Sequence, residues 1–418
     1  MTSTAKGAIA VLLLALATHV GYFVLDRNHE ARDSAVYLLN ADSLAAGRGF
    51  TRAGVVETRR TPGYPLLLMP FRAAGVGIRP IALAQHLAAA ALAAGFVIIV
   101  RRMTGDLRTS VIAGGMLAID LPTIHHANKI LTETAFTIVL VIVFVLVWRI
   151  AEHIGRPLLQ GAIAGLLLGA AVLIRPICMA FFVPVALYLF WTRRDVAMRL
   201  VALFVACALL LPGLWTLRND RETGVPIVSS VASYELLFYR GAGVLAVDQP
   251  GDFQTNVVRQ QSNLRNELDA CLRREFGVND VSKLTDAQRD ICQRRMARAI
   301  LLGHPLAYAK VMSRGIAVTL LAGGREAVRE IVGLRPWLER ALVVYTSICL
   351  IFAAIGVVVL FRMDRKLAVL VVITIGYFIV AGAGPESYSR YRVPVIPMYS
   401  LAVAVGIRRS VIRRSVDQ

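Results

Sequence analysis

Apolar runs near the length a helix needs to cross bilayer hydrocarbon, roughly 20 residues, recur along this chain. They fall at 8–25, 80–100, 132–150, 158–174, 176–191, 197–216, 341–361, 367–384 and 394–407, with a shorter one at 109–122. Apolar residues make up 57% of the chain and charged ones only 17%, too little polar surface to cover so large a core in water. The fold expectation is therefore all-α, a polytopic transmembrane helical bundle. The first run follows Lys6 in the manner of a signal peptide. Its apolar stretch is longer than a secretory core and no small-residue cleavage site follows, so it reads as a retained anchor.

A net charge of +19 would suit nucleic acid, but the positions of the cations decide otherwise. Arg101, Arg102 and Arg108 lie between the second run and the next, Arg149 and Arg156 after the fourth, and Arg193, Arg194 and Arg199 after the sixth. Arg362, Arg365 and Lys366 separate the eighth and ninth runs, and Arg408, Arg409, Arg413 and Arg414 follow the last. Every second connection is short and basic, the pattern of cytoplasmic loops. Both termini are then expected in the cytoplasm, and the charge reports topology rather than a nucleic-acid partner. The other side receives two long segments, 26–79 and 217–340, and short ones around 123–131, Arg175 and 385–393. The expected organisation is an N-terminal transmembrane module over 1–216 with its site in the loop 26–79. An outer loop domain over 217–340 follows, then C-terminal helices with a basic tail over 341–418.

The first long loop reads as a helix from about Asp33 to Ala46, stopped by Gly47 and Gly49. A Pro-Gly-Tyr-Pro turn at 62–65 follows, then a stretch from Leu66 to Ala74 too short to span, placed at the interface or as a re-entrant piece. In the second, Thr285 and Gln288 have capping-box spacing for a helix to about Leu302, stopped by Gly303 and Pro305. The apolar stretch 306–323 is read as an amphipathic surface helix because Lys310 and Arg314 sit in its first half; a spanning segment is the alternative. Cys178, Cys207 and Cys349 lie in apolar runs and read as packing. Cys271 and Cys292 lie in the outer segment, where an oxidising compartment would let them pair if their separation allows it.

Asp33 and Tyr37, four residues apart, share one helix face. A carboxylate held against apolar surroundings has a raised pKa and suits a base for a hydroxyl; a solvated helix cap is the alternative. Glu133 opens an otherwise apolar helix and calls for a partner or a job, or it is a first-turn acid favoured by the helix dipole. His125 and His126 are the candidate metal ligands, without the spacing of a known metal motif. Arg175 and Arg218 stand at matching helix ends, and Tyr388, Arg390, Tyr391 and Arg392 form an aromatic-basic cluster before Pro394. Arginines at one depth on the side that disfavours them ask for an anion, and a lipid phosphate or diphosphate fits guanidinium geometry. No P-loop or Rossmann glycine pattern is present.

Taken in order, several segments resemble the GT-C glycosyltransferases that use polyprenyl-phosphate sugars, in particular the branch of aminoarabinose transferases and protein O-mannosyltransferases. They are Asp33 with Tyr37, Leu44-Ala45-Ala46-Gly47-Arg48-Gly49-Phe50, Arg60-Thr61-Pro62-Gly63-Tyr64-Pro65 and Leu131-Thr132-Glu133-Thr134. The helix end from Gly165 to Arg175-Pro176, Trp215 with Arg218-Asn219, and Arg390-Tyr391-Arg392-Val393-Pro394 complete the set. The resemblance implies a GT-C-like bundle with juxtamembrane helices in the first outer loop and a small helical extramembrane domain, set in a bacterial cytoplasmic membrane with the active site facing the periplasm. It implies transfer of a sugar from a polyprenyl-phosphate donor to a lipid, glycan or protein acceptor, with inversion, Asp33 as base and Glu133 as the second acid. Tyr37, Arg59, Arg60, Tyr64, Lys129, Arg218, Tyr388, Arg390 and Arg392 are then the substrate-binding candidates. A divalent metal is open, because Arg32-Asp33-Ser34 replaces the adjacent acidic pair common in the family. The rival class is a transporter or flippase of a lipid-linked or anionic solute, which would favour ionisable groups near mid-membrane.

Overall fold

A computed structural model describes residues 2–416, with side chains to Arg408; Arg409, Arg413 and Arg414 of the expected basic tail have side chains outside the described residues. In chain order the helices are α1 (Ser3–Leu25), α2 (Ser34–Ala45), α3 (Gly63–Ala73), α4 (Ile78–Thr104), α5 (Leu107–Ile119), α6 (Leu121–Asn128) and α7 (Glu133–Ala151). There follow α8 (Pro157–Ile174), α9 (Phe182–Thr192), α10 (Ala197–Thr223), α11 (Val231–Glu235), α12 (Ala242–Ala246), α13 (Phe253–Phe276) and α14 (Asp286–Gly303). The last are α15 (Pro305–Leu321), α16 (Arg325–Val332), α17 (Pro336–Met363), α18 (Arg365–Ala381) and α19 (Ile396–Val416). A two-residue hairpin, Thr51–Arg52 with Val55–Val56, is the sheet among the described residues.

Among the described residues, six helices, α1, α4, α7, α8, α10 and α17, are long and apolar enough to cross a membrane, and α5 with α6 makes a seventh candidate bent by 46°. The chain is thus a multi-pass membrane protein. Helix α8 packs along α10, α17 along α19, and α1 against α4 and α5. On α8 the small residues Gly161, Gly165 and Gly169 recur every four positions and lie directly against Leu200, Phe204 and Ala208 of α10. Such stripes let backbones approach where no hydrophobic drive separates helix from lipid.

The basic connections gather at one end of the bundle. Arg408 pairs with Asp106 at 3.2 Å, Lys366 donates to the Ala151 carbonyl at 2.8 Å and Arg193 to the Ile150 carbonyl at 3.2 Å. The long segments meet at the other end, here termed the loop face.

Two local expectations are refined there. The Pro-Gly-Tyr-Pro stretch is not a free turn: α3 starts at Gly63 and runs through Pro65 and Pro70. Pro65 is tolerated because a first-turn N–H needs no intrahelical partner. A Cβ at Gly63 would overlap the backbone of Leu173 and Ile174, so glycine lets the helix begin against the end of α8. Helix α15 is 17 residues long and not among the spanning candidates; it docks Gly315 onto the backbone of Gly384, with Lys310 paired to Asp248.

The segment between α10 and α17 builds its own small core from Leu237, Phe238, Val257, Leu264, Leu268 and Leu272. Thr285 and Gln288 form the expected capping box, and Cys271 and Cys292 are joined, tying α13 to α14 with Cα atoms 6.2 Å apart. Replacing both cysteines by serine is expected to cost this domain about 3 kcal/mol, the chain-entropy value for a loop of about 20 residues. A fall in the thermal unfolding midpoint of the double variant, matched by wild type under reductant, checks it.

Candidate active site

A pocket of about 520 Å³ opens on the loop face. Its wall draws on the loop before α2 (Arg32, Asp33), the strap before α3 (Arg52, Arg59, Arg60), the end of α8 (Arg175), α11 and the turn after it (Tyr234, Glu235, Tyr239), and the segment before α19 (Glu386, Tyr388, Arg390, Tyr391).

The charges form an alternating chain. Asp33 stands at the N-cap of α2 but makes no capping bond. Its Oδ1 accepts from Arg60 Nη2 at 2.7 Å and its Oδ2 from Arg390 Nη1 at 3.1 Å. Arg390 Nε also donates to Oε1 of Glu133, which receives Arg175 Nη1 as well. Three guanidinium groups thus share two carboxylates, leaving one positive charge in excess. Burial alone would raise the Asp33 carboxyl, but Arg60 and Arg390 outweigh it and hold Asp33 below the usual carboxylate range. The raised pKa expected from apolar surroundings is not found, because the surroundings are guanidinium. Glu133 has no exposed surface; it lies behind the pocket wall and reaches it through Arg390 and Arg175.

Each member is fixed from several elements. Ser34 Oγ donates to the Ile130 carbonyl at 2.9 Å, Ile130 N–H to the His29 carbonyl at 3.0 Å, and His29 Nδ1 lies 3.1 Å from Asn128 Oδ1. Asp33 and Glu133 are thereby bolted to one frame. Glu57 Oε1 accepts the N–H groups of Arg59 at 2.7 Å and Arg60 at 3.2 Å, shaping the strap. Arg60 lies over the Tyr37 ring at 5.7 Å, and Tyr37 packs edge-on against Tyr64, whose hydroxyl donates to Gln85. Arg59 covers Tyr234 at 4.0 Å.

Of the residues named from sequence, Asp33, Tyr37, Arg59, Arg60, Tyr388 and Arg390 line the pocket; Tyr64 backs Tyr37. Three expected phosphate partners are placed elsewhere. Lys129 Nζ is buried between Asp26 at 3.2 Å and Glu330 at 2.5 Å. Arg218 braces the strap through the Phe50 and Glu57 carbonyls and lies over Trp215. Arg392 is buried toward Asp120 and the Leu320 carbonyl. Sequence alone could not sort them, since all are cations at similar depth and only their carboxylate neighbours differ.

Pocket residues that the sequence reading left out are Glu235, Glu386, Tyr234 and Tyr239, and Arg175 lines it too without having been named among the substrate-binding candidates. The signal was faint: a lone acid in Tyr234-Glu235-Leu236-Leu237-Phe238-Tyr239, and another within the Gly-Pro segment before Tyr388. Burial raises both carboxyls, Glu235 above its ordinary value despite nearby arginines and Glu386 to about 7.

Among the described residues, Asp26, His125 and Glu330 group as a metal ligand set would. The Lys129 ammonium already bridges both carboxylates, and Tyr22 hydroxyl lies 2.7 Å from His125 Nδ1. His126 Nδ1 is 2.7 Å from the Pro122 carbonyl. In the pocket Asp33 and Glu133 are likewise taken by guanidinium. These donor sets do not fit a divalent cation.

No protein-family profile matches the chain, and no curated protein matches its sequence. Solved structures do. The apo oligosaccharyltransferase of Archaeoglobus fulgidus matches at a TM-score of 0.52 and 12% identity, over 99% of this chain and 52% of that one. Oligosaccharyltransferase AglB from the same archaeon, in complex with an inhibitory peptide and a dolichol-phosphate, matches at 0.50 and 13%, over 99% and 51%. ArnT from Cupriavidus metallidurans bound to undecaprenyl phosphate aligns at 0.42 and 14%, over 99% and 79%. This chain spans about half the length of the archaeal enzyme. The likeness establishes the fold, a membrane helical bundle shared with the archaeal oligosaccharyltransferase.

Proposed function

We propose that this chain is a membrane glycosyltransferase that moves a sugar from a polyprenyl-phosphate donor to a lipid, glycan or protein acceptor, with inversion, on the non-cytoplasmic face of a bacterial cytoplasmic membrane. The observation that carries the reading is the cluster of Arg60, Arg390 and Arg175 around Asp33 and Glu133, beside a pocket large enough for a sugar phosphate. An excess guanidinium charge in a water-poor site suits a phosphate whose negative charge grows as it leaves. The fold likeness to an oligosaccharyltransferase bound to dolichol-phosphate supports it. The disulfide in the loop-face domain fits an oxidising compartment, as the basic connections at the opposite end fit a cytoplasm there.

In this reading the donor phosphate docks on Arg60 and Arg390, and Tyr37 and Tyr388 line the sugar. Asp33 was the sequence's candidate for the base. With both oxygens held by guanidinium groups it is the anchor that aims Arg60 and Arg390, and it belongs to the catalytic centre on that account. No step requires a metal.

The test is purified protein in detergent, given a panel of polyprenyl-phosphate pentoses and hexoses with a cell-envelope extract as acceptor. Asp33→Asn is expected to lower transfer about 10²-fold, as for loss of one transition-state charge partner, and to weaken binding of polyprenyl monophosphate. Unaltered transfer by a folded Asp33→Asn variant would remove the site; movement of intact donor across vesicles without glycosylated product would favour the transporter reading.

A further inference from the structure

We infer that Glu235, a carboxyl delivered by the loop-face domain, is the base that takes the acceptor's proton. The inference rests on the transfer reading above and adds the residue that reading lacks.

Four carboxyls meet at or behind the pocket, and their partners separate them. Asp33 has both oxygens bonded to arginine, and Glu133 is buried between two guanidinium groups. Glu386 folds back over its own loop: its Oε2 is buried beside Gly384, and its Oε1 lies 3.8 Å from Arg240 Nε. Glu235 lines the pocket and, among the described residues, neither accepts a side-chain hydrogen bond nor pairs with a cation within 4 Å. Glu133 Oε2 and Glu386 Oε2 are also unbonded but are sealed from solvent, so of the four it is Glu235 that lines the pocket with no oxygen tied to arginine or sealed away.

Its position is built. Glu235 ends α11, and the next six residues, Leu236–Gly241, form a π-helical turn, a rare geometry that recurs at functional sites. The hydroxyl of Ser233, two residues before, lies 2.5 Å from Asp290 Oδ1 and 3.0 Å from Gln293 Oε1 of α14. Ser229 Oγ donates to the Arg59 carbonyl at 2.5 Å and Ser230 N–H to the Thr58 carbonyl at 3.1 Å. The domain is thus fastened to the strap that carries Arg60, so the free carboxyl and the phosphate-binding guanidinium groups face one cavity.

Arg60, Arg175 and Arg390 face Glu235 from the membrane side and Arg240 from its own turn, all favouring the anion. Glu386, Tyr239 and Tyr391 also surround it. Burial outweighs the arginines and leaves the carboxyl above its ordinary value, nearer the range where a base works at neutral pH.

The step balances without a co-reactant. The acceptor oxygen or nitrogen forms a bond to the anomeric carbon as the bond to the donor phosphate oxygen breaks. That electron pair leaves with polyprenyl phosphate, and the acceptor's proton passes to Glu235 and then to water.

The experiment compares Glu235→Gln, Glu235→Asp and unaltered protein for binding of polyprenyl monophosphate and for transfer across pH, with the donor panel and extract above. Glu235→Gln is expected to bind the monophosphate within about twofold of unaltered protein, to transfer about 10²-fold more slowly, and to lose the fall in rate that unaltered protein shows as pH drops through the raised Glu235 value. Glu235→Asp should recover part of the rate and keep that acidic limb, which a purely structural role would not produce. A Glu235→Gln variant that retains rate and acidic limb overturns the assignment while the transfer reading stands. Absence of transfer by unaltered protein overturns both.

Discussion

Replacing Arg390 with methionine is expected to slow sugar transfer at least about 10³-fold, beyond the loss from removing one transition-state donor. Arg390 bonds Asp33 and Glu133 at once and also donates to the Tyr388 hydroxyl at 3.3 Å. Removing it takes from the pocket a guanidinium proposed to meet phosphate and releases the two carboxylates from a common cation, so that the excess positive charge becomes zero. Asp33 keeps Arg60 and Glu133 keeps Arg175, so the folding penalty should fall near the low end for a broken buried pair, about 3 kcal/mol. Lysine should restore stability better than rate, since an ammonium cannot reproduce the fork that serves two acids. Adding Glu133→Gln to Arg390→Met would leave Arg175 without its carboxylate, so it should lower the thermal midpoint further and restore no activity. If rate returned with stability, Arg390 would be a structural brace alone.

The second large effect lies in the bundle. Leucine at Gly165 is expected to abolish recovery of folded protein, and leucine at Gly356 to do the same. A Cβ at Gly165 would overlap the Phe204 carbonyl of α10, and one at Gly356 the Ala402 carbonyl of α19. These obstacles are backbone, which cannot swing aside, so the penalty should exceed the 1–3 kcal/mol typical of overpacking by side chains. The control is Gly213→Leu on α10, where nothing lies within 4 Å and the position is exposed. Fluorescence-detected size exclusion in mild detergent should show a single peak for Gly213→Leu and aggregate for the other two. Equal profiles for all three would mean that the helix pairs tolerate wider spacing than their contacts imply.

Much of the architecture was legible because the bilayer simplifies the problem. A chain that must satisfy its backbone in hydrocarbon announces helices as long apolar runs, and the alternation of basic connections sorts their ends. The capping box at Thr285 and the stop at Gly303 were equally local, since both depend on residues within one turn. Ten apolar runs from the sequence all became helices, though 109–122 broke at Asp120, whose carboxylate caps α6 through the Thr123 N–H. The failure at Pro62–Pro65 was also local in appearance, but its cause was not: Gly63 begins a helix because the end of α8 lies against it.

The site shows where such reading stops. Composition and order placed Asp33, Tyr37, Arg59, Arg60, Tyr388 and Arg390 at the loop face, and the structure brings all six to one pocket. It could not say which cations were already neutralised. Lys129 and Arg392 are as basic as Arg390, yet each is buried against an acid, Asp26 or Asp120, about 100 residues or more away in the chain. Nor could it say which acids were occupied, so it could not separate Asp33, bonded to two arginines, from Glu235 in the same pocket.

By itself, then, the amino-acid order determined that the chain is a many-helix membrane protein, which helix ends share a face, and that one face is rich in arginine and tyrosine. These follow from transfer free energies and charge bias, which act on each segment separately. Only the tertiary structure decided which arginine meets which carboxylate, because ion pairing depends on distances of a few ångströms between residues up to 357 positions apart, as for Asp33 and Arg390. The chemistry open to a carboxyl in a low-dielectric pocket depends on that pairing.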